Sequence, residues 1–306
     1  VSRFGVLALG EPLYELNRQP DGNWLTGFGG DTLNVAIAAA RLGCPAAYVT
    51  RLGDDIFATE LRELMQREAI DTSAVAVDAG APTGLYFVTH GAAGHVFTYR
   101  RAGSAASRMT PADLDQGLIA AATFLHVSGI SQAISRGAAE TVAAAIAMAR
   151  AAGTRVSFDT NFRPRLWSAP EARPLAEAAA AAADVFKTSA EDAAALFGLT
   201  EPAAIARHVL GLGARAVVVT LGRDGVALAT AAGLERLPGR AVATRDATGA
   251  GDAFTGALLA QLALGEELAS AARFANVAAA LSTQGYGAIA PLPGRQAVDA
   301  ALRAAD

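Results

Sequence analysis

The chain has 306 residues, 52% of them hydrophobic, and a formal net charge of −4, enough apolar material for one large α/β domain or two modest ones. Lys187 is the sole lysine and no long Lys/Arg run exists, which argues against nucleic acid or an anionic membrane surface as the main partner. A single cysteine, Cys44, excludes a disulfide framework and points to a cytoplasmic location, and the four histidines lack zinc-ligand spacing.

The apolar run at 4–9 (FGVLAL) reads as a first strand with no basic leader ahead of it. Residues 13–28 (LYELNRQPDGNWLTGF) are hairpin-like and carry Trp24, a packing residue at this level. Gly29 and Gly30 lead into a helical pattern over 31–42; Cys44 follows it, before Pro45, and reads as inert. A strand at 46–51 and a helix at 56–69 come next. The stretch 83–101 is a second hairpin, with Gly91 and Gly94 in its turn. Beyond it, strands are predicted at 123–127, 155–159, 184–187, 216–221 and 226–229. Helices are predicted at 135–152, 171–182, 190–197, 201–212, 250–264, 266–284 and 294–304. His126, in the apolar run FLHVSG, reads as a satisfied interior residue. The longest charge-free stretch, 274–294, is broken by Gly, Pro and polar residues and is not a membrane span.

Near-continuous apolar strands alternating with helices predict an α/β fold, a mostly parallel sheet with helices on both faces. The two hairpins stand outside that rhythm and predict a small β-sheet able to close over a ligand. Its open edges raise the expectation of a homo-oligomer joined through this lid.

The chemistry concentrates at 246–259, DATGAGDAFTGALL. A helix start has unpaired N–H groups and a positive dipole end, and glycines let an anion approach the bare backbone. Gly249, Ala250 and Gly251 can therefore form an anion hole for a phosphate. Asp252 beside it would be a poor choice for binding alone but a sensible base for an attacking hydroxyl. A capped helix whose Asp offsets the dipole explains the same residues equally well. With one lysine, the G-x-x-x-x-G-K-[ST] phosphate loop is impossible, and Lys187 does not sit in a protein-kinase V-A-I-K strand. GLGARA at 211–216 precedes a strand instead of following one, so it is no dinucleotide fingerprint.

DATGAGDAF closely resembles the C-terminal signature of the ribokinase-like (PfkB) sugar kinases, and GFGGDTLNVAIAAARLG at 27–43 resembles their N-terminal signature. The resemblance spans essentially the whole chain, including VVVTLGRDG at 217–225. It implies a single Rossmann-like α/β domain over 1–306 with a β lid, ATP as phosphoryl donor, and Mg²⁺. GEPLYE, TGLYFVTHG, YRRAGSAASRM, FLHVSGIS and FDTNFRPRLW look like the 2-keto-3-deoxygluconate kinases, whose substrate is an acidic sugar. The resemblance places Asp252 as base and Gly249–Gly251 as anion hole. It places Gly29, Gly30 and Asn34 on sugar hydroxyls, Tyr86 and Tyr99 on the sugar from the lid, and Arg101 and Arg163 on the acid end. Arg100 stands where the family often has a second Tyr, and Arg165 lies close to Arg163. Strand alternation puts Tyr99 and Arg101 on one face and Arg100 on the other.

On the nucleotide side the resemblance implies Ser189, Thr220, Gly222, Gly225 and Asn276. The family's Asn-x-x-Glu element, which reaches magnesium through water, reads Ser189 and Asp192 here, a shorter acid. Asp246 and Thr248 sit where some members coordinate a monovalent cation such as K⁺. The expected function is ATP-dependent phosphorylation of a sugar acid. A fructokinase, a nucleoside kinase and a non-catalytic sugar sensor are the alternatives.

Overall fold

The computed structural model describes residues 2–91 and 94–304. Its strands are β1 (Phe4–Leu9), β2 (Leu13–Arg18), β3 (Trp24–Gly29), β4 (Ala46–Leu52), β5 (Asp71–Val77), β6 (Leu85–Gly91), β7 (Gly94–Arg100), β8 (Ala122–Ser128), β9 (Arg155–Asp159), β10 (Val185–Ser189), β11 (Ala216–Thr220), β12 (Val226–Thr230) and β13 (Gly233–Leu237). Among the described residues nine of them form one sheet, ordered β13-β12-β11-β10-β9-β8-β1-β4-β5, and four form a second, ordered β3-β2-β6-β7. β1 pairs in parallel with both β4 and β8. The chain winds from β1 outward to β4 and β5, then returns to build β8 to β11 on the other side. The strand order therefore reverses between β1 and β8, and in open α/β sheets ligands bind outside the carboxyl ends of the strands at such a point.

Alternation along the strands divides the core into two layers. Val6, Ala8 and Val218 face the helices Asp31–Arg41, Ala250–Ala263 and Leu268–Ser282. Leu7, Leu9, Val217 and Val219 face Arg136–Ala152, Ala169–Ala182 and Pro202–Leu212. The large sheet thus carries helices on both faces, as the apolar strands predict. The smaller sheet is the expected pair of hairpins, joined by parallel pairing of β2 with β6. The Gly91–Gly94 turn expected from the sequence encloses residues 92 and 93, which lie outside the described residues.

Two strands lie beyond what the sequence pattern predicts. β5 (DTSAVAV) buries only Val75, and β13 (GLERL) only Leu237, so neither presents the apolar run that marks an interior strand. The run at 226–229 pairs antiparallel with β11 and leads into β13 at the sheet's edge. The expected helix 56–69 stops at Arg67, and Ala69 adopts a left-handed φ of 55°. His126 is an interior residue on β8. Its Nδ1 lies 3.1 Å from Ser157 Oγ, and burial lowers its imidazole to about 4, so it is neutral. Burial pushes the Cys44 thiol up to about 11, which leaves it unreactive. Trp24 stands edge-on to Phe87 at 5.6 Å. No helix among the described residues is long and apolar enough to cross a membrane.

Candidate active site

A cavity of about 740 Å³ lies between the two sheets, at the carboxyl ends of β1, β8, β9 and β10. Two helix starts enter it from below, Asp31–Arg41 behind Gly30 and Ala250–Ala263 behind Gly249. Tyr86, Phe97 and Tyr99 of the small sheet roof it. Of the residues picked from sequence, Gly29, Gly30, Asn34, Tyr86, Tyr99, Arg101, Arg163, Thr248, Gly249, Gly251 and Asp252 all line this space, and Arg100 does not.

Gly249 is the residue before the helix and takes φ 74°; a Cβ there would press on Ala288 at 3.0 Å. The first intrahelical bond runs from Ala253 N to Gly249 O, at 2.8 Å. The N–H groups of Gly249, Gly251 and Asp252 have no acceptor among the described residues, as expected of a helix start that receives an anion. Ala250 departs from the expectation: its N–H is taken by Ala247 O at 3.2 Å, because the chain makes a tight turn just before the helix.

Asp252 accepts a hydrogen bond from Asn34 Nδ2 at 2.7 Å. The other end of that amide, Asn34 Oδ1, is buried with no partner among the described residues, and is thus open to a ligand hydroxyl. Asp252 is half-buried and lines the cavity. Burial first, and the nearby Asp31 charge second, raise its carboxyl to about 7, against the opposing pull of Asn34 and Lys187. A carboxylate poised near neutral pH is suited to accept a proton from an alcohol.

The floor holds charges that sequence reading missed. Asp31 accepts from Asn161 Nδ2 at 2.9 Å. Lys187 and Asp159 face each other in register on β10 and β9 and form a buried ion pair at 2.5 Å. The Lys187 ammonium stands 3.5 Å from where a Cβ on Gly251 would be, beside the free amides of the helix start. A lone lysine inside the apolar strand VFKTS was the signal available for it, since a buried ammonium needs a partner.

The arginines divide. Arg101 donates through Nε to Glu11 Oε2 at 2.6 Å, and Ser104 Oγ also bonds this carboxylate. Glu11 is 1% exposed, and burial raises its pKa against the opposing charge of Arg101. The charge of Arg101, expected to be offered to the substrate, is therefore largely spent inside the protein. Arg163 donates to Phe162 O at 3.0 Å and Arg165 to Phe97 O at 3.1 Å; neither makes a salt bridge among the described residues, and both line the cavity. The Tyr86 hydroxyl bonds the buried carboxylate of Glu15, and its ring stacks on Tyr99 with centroids 5.8 Å apart.

Ser189, Thr220, Gly222, Gly225 and Asn276 lie outside this cavity's lining; Ser189 and Thr220 end β10 and β11, and Asn276 is on the helix Leu268–Ser282. Ser189 and Thr220 are paired in register, and Ser189 Oγ caps the helix Ala190–Phe197. Gly222 has φ 59°. Gly225 has φ 99°, and a Cβ there would strike Leu237 O at 2.1 Å, so the backbone itself demands glycine. Asn276 donates to Pro238 O at 3.2 Å. Asp192 Oδ2 accepts from Thr160 Oγ1 at 2.8 Å and Phe162 N at 3.0 Å. Asp246 accepts from the amide and hydroxyl of Thr248 and from Gly287 N, knitting the loop ahead of the helix Ala250–Ala263.

Among the described residues no three His, Cys, Asp or Glu side chains converge on a metal position. With Asp159, Asp192 and Asp246 each already holding internal donors, the residues suit magnesium carried on nucleotide phosphates and water better than an ion caged by protein.

Residues 6–295 match the family described as pfkB family carbohydrate kinase. A 2-dehydro-3-deoxygluconokinase of Thermoproteus tenax is 34% identical over 98% of this chain and 94% of its own length. A fructokinase of Klebsiella pneumoniae is also 34% identical, over 94% and 96%. The crystal structure of aminoimidazole riboside kinase from Salmonella enterica, complexed with aminoimidazole riboside and an ATP analog, aligns with a TM-score of 0.88 at 29% identity, covering 97% of this chain and 99% of that one. Matched along nearly its whole length in sequence and in fold, the chain belongs to the pfkB family of carbohydrate kinases and is a sugar kinase.

Proposed function

We propose that this kinase transfers the γ-phosphoryl group of ATP to the terminal hydroxyl of 2-keto-3-deoxygluconate, or a closely related sugar acid, giving the 6-phosphate. The observation that carries the acid reading is the pair Arg163 and Arg165, two guanidinium groups on the cavity wall with no salt bridge among the described residues. A carboxylate is the partner that such forks bind best. Arg101, held by Glu11, instead supports the sugar's position beside Tyr99, whose ring lies 5.7 Å from its guanidinium carbon.

The sugar enters under the small sheet, which we read as the lid of one continuous kinase unit. Its hydroxyls meet Asn34 Oδ1 and the backbone of Gly29 and Gly30, and its acceptor hydroxyl lies against Asp252. ATP binds along Ser189, Thr220, Gly222, Gly225 and Asn276, with its γ-phosphate toward Gly249 and Gly251. Asp252 takes the hydroxyl proton as the new O–P bond forms in line and the bond to the leaving ADP oxygen breaks. The free amides of Gly249 and Gly251, the helix dipole and Lys187 steady the charge on the phosphoryl oxygens. Magnesium, when bound with ATP, would neutralise phosphate charge; the family pattern alone would put Asp192 near it through water, whereas the donors that Asp192 Oδ2 holds come from Thr160 and Phe162, and the same pattern would put Asp246 and Thr248 near a monovalent cation.

The fructokinase reading has its own support, since a fructokinase matches at the same 34% identity and one expected cation is neutralised. A panel of 2-keto-3-deoxygluconate, 2-keto-3-deoxygalactonate, fructose and ribose with ATP, read by ADP release, separates the two. We expect kcat/KM for the acids to exceed that for fructose by roughly a hundredfold, the worth of two charge-assisted hydrogen bonds. Equal or better turnover of fructose would sink the acid reading.

A further inference from the structure

We infer that Asp192 is a positioning residue for the sugar-side loop, clamping residues 160–163 so that Asn161 and Arg163 face the substrate, and is not chiefly a partner of magnesium. The inference rests on the proposal that the cavity takes the sugar, and it assigns Asp192 a different task from the one its place in the sequence suggests.

Asp192 lies in the first turn of the helix Ala190–Phe197, its amide capped by Ser189 Oγ at 2.9 Å. One carboxylate oxygen, Oδ2, receives both Thr160 Oγ1 and Phe162 N. Thr160 is fastened twice more, by its hydroxyl to Thr188 Oγ1 at 3.0 Å and by its amide to Lys187 O at 3.0 Å. Between these two anchored residues stands Asn161, a buried non-glycine residue at φ 33°. Such a conformation persists only where the surroundings over-determine it. Asn161 in turn reaches Asp31 with its side chain, and Arg163 is the next residue after Phe162.

The tethers to Thr160 and Phe162 thus hold the left-handed kink from both sides, and the kink aims the loop at the cavity. A carboxylate two bonds from the backbone lies close enough to grip this loop. The short acid at this position, a departure from the family's Asn-x-x-Glu pattern, fits the clamp.

The test is steady-state kinetics on the full chain with its best sugar from the panel, whichever that proves to be. If the panel itself shows no sugar turnover, the functional proposal fails, which is distinct from a failure here. Asp192→Ala should raise the sugar KM about tenfold, the effect of losing two hydrogen bonds to a positioning loop. The KM for MgATP and the half-saturating magnesium concentration should move by less than about twofold. Asp192→Asn keeps an acceptor oxygen but not the charge, and should recover most of the sugar KM. Should Asp192→Ala not fold, Thr160→Val probes the same clamp from its other end, with an expected rise in sugar KM of about threefold from the loss of a single donor. An increased magnesium requirement shared by the Ala and Asn variants, or an unchanged sugar KM in Thr160→Val, overturns the inference.

Discussion

The floor and the roof of the cavity are built by opposite means. Below, helix starts and parallel strand ends bring together Asp31, Asn34, Asp159, Lys187 and Asp252, and these groups are fixed by partners far away in the chain. Asn34 and Asp252, for example, are 218 residues apart and touch at 2.7 Å. Above, antiparallel strands present Tyr86 and Tyr99, and the tip of the sheet is open to solvent, with Leu25 60% exposed. In the proposed function the floor is preorganised for chemistry, its buried charges held where a transition state needs them. The roof, in that same proposal, contributes rings and hydroxyls that select and cover the sugar. Changes to the floor should therefore appear in kcat, and changes to the roof in KM.

The largest effect is expected at the floor's base. Asp252→Asn should lower kcat by about two orders of magnitude or more and leave the sugar KM nearly intact. In the wild type, kcat/KM should climb as pH rises to about 7, where the Asp252 carboxyl ionises, and level off above it. A flat profile between pH 5 and 8 would contradict the assignment. The same carboxyl has a stability signature. Its pKa in the fold is raised from 3.8 to about 7, so the fold favours the protonated form. The stabilisation from that proton is complete below the ordinary value, fades above it, and is gone once pH passes the folded value. Asp252→Asn, neutral throughout, should match the wild type near pH 4 and exceed it at pH 8 by on the order of 1–3 kcal/mol in urea unfolding. A dead enzyme that is also more stable in mild base would mark the floor as strained for function.

What the sequence disclosed follows the same division. The two helix starts were legible because glycines followed by a polar residue and an apolar helical run are local patterns. Alternation in YRR correctly set Tyr99 and Arg101 on the cavity face and Arg100 off it. The partners of those residues were not legible. Glu11 is 90 residues from Arg101, and Asp159 meets Lys187 only because β9 and β10 are neighbours in the sheet. A carboxylate in a linear sequence is neither buried nor paired until the strand order is known. The capture of the Ala250 amide by Ala247 has the same cause, a turn whose geometry no residue type dictates.

Gly29 joins roof to floor, and its substitution sharpens the contrast. Its φ is ordinary, but a Cβ there would come within 2.7 Å of the Tyr86 hydroxyl and 3.1 Å of the ring. Glu15 holds that hydroxyl by a hydrogen bond, so moving Tyr86 aside would break it. Gly29→Ala should raise the sugar KM about tenfold while kcat stays within about threefold, because the base and amides beneath are not disturbed. A fall in kcat as large as that of Asp252→Asn would mean that roof and floor act as one unit.

The smallest effect should come from the roof's outer ring. Tyr99 is 38% exposed, and the Tyr86 ring that it stacks on keeps its own anchor through Glu15. An aromatic contact of that kind is worth about 0.5–1.5 kcal/mol, so Tyr99→Ala should raise the sugar KM roughly three- to tenfold and leave kcat and the pH profile as they were. Tyr99→Phe keeps the ring and should be nearly silent if stacking is the whole contribution. If Tyr99→Phe instead costs as much as Tyr99→Ala, the hydroxyl rather than the ring reads the sugar, and the roof recognises its substrate by polar contacts as the floor does.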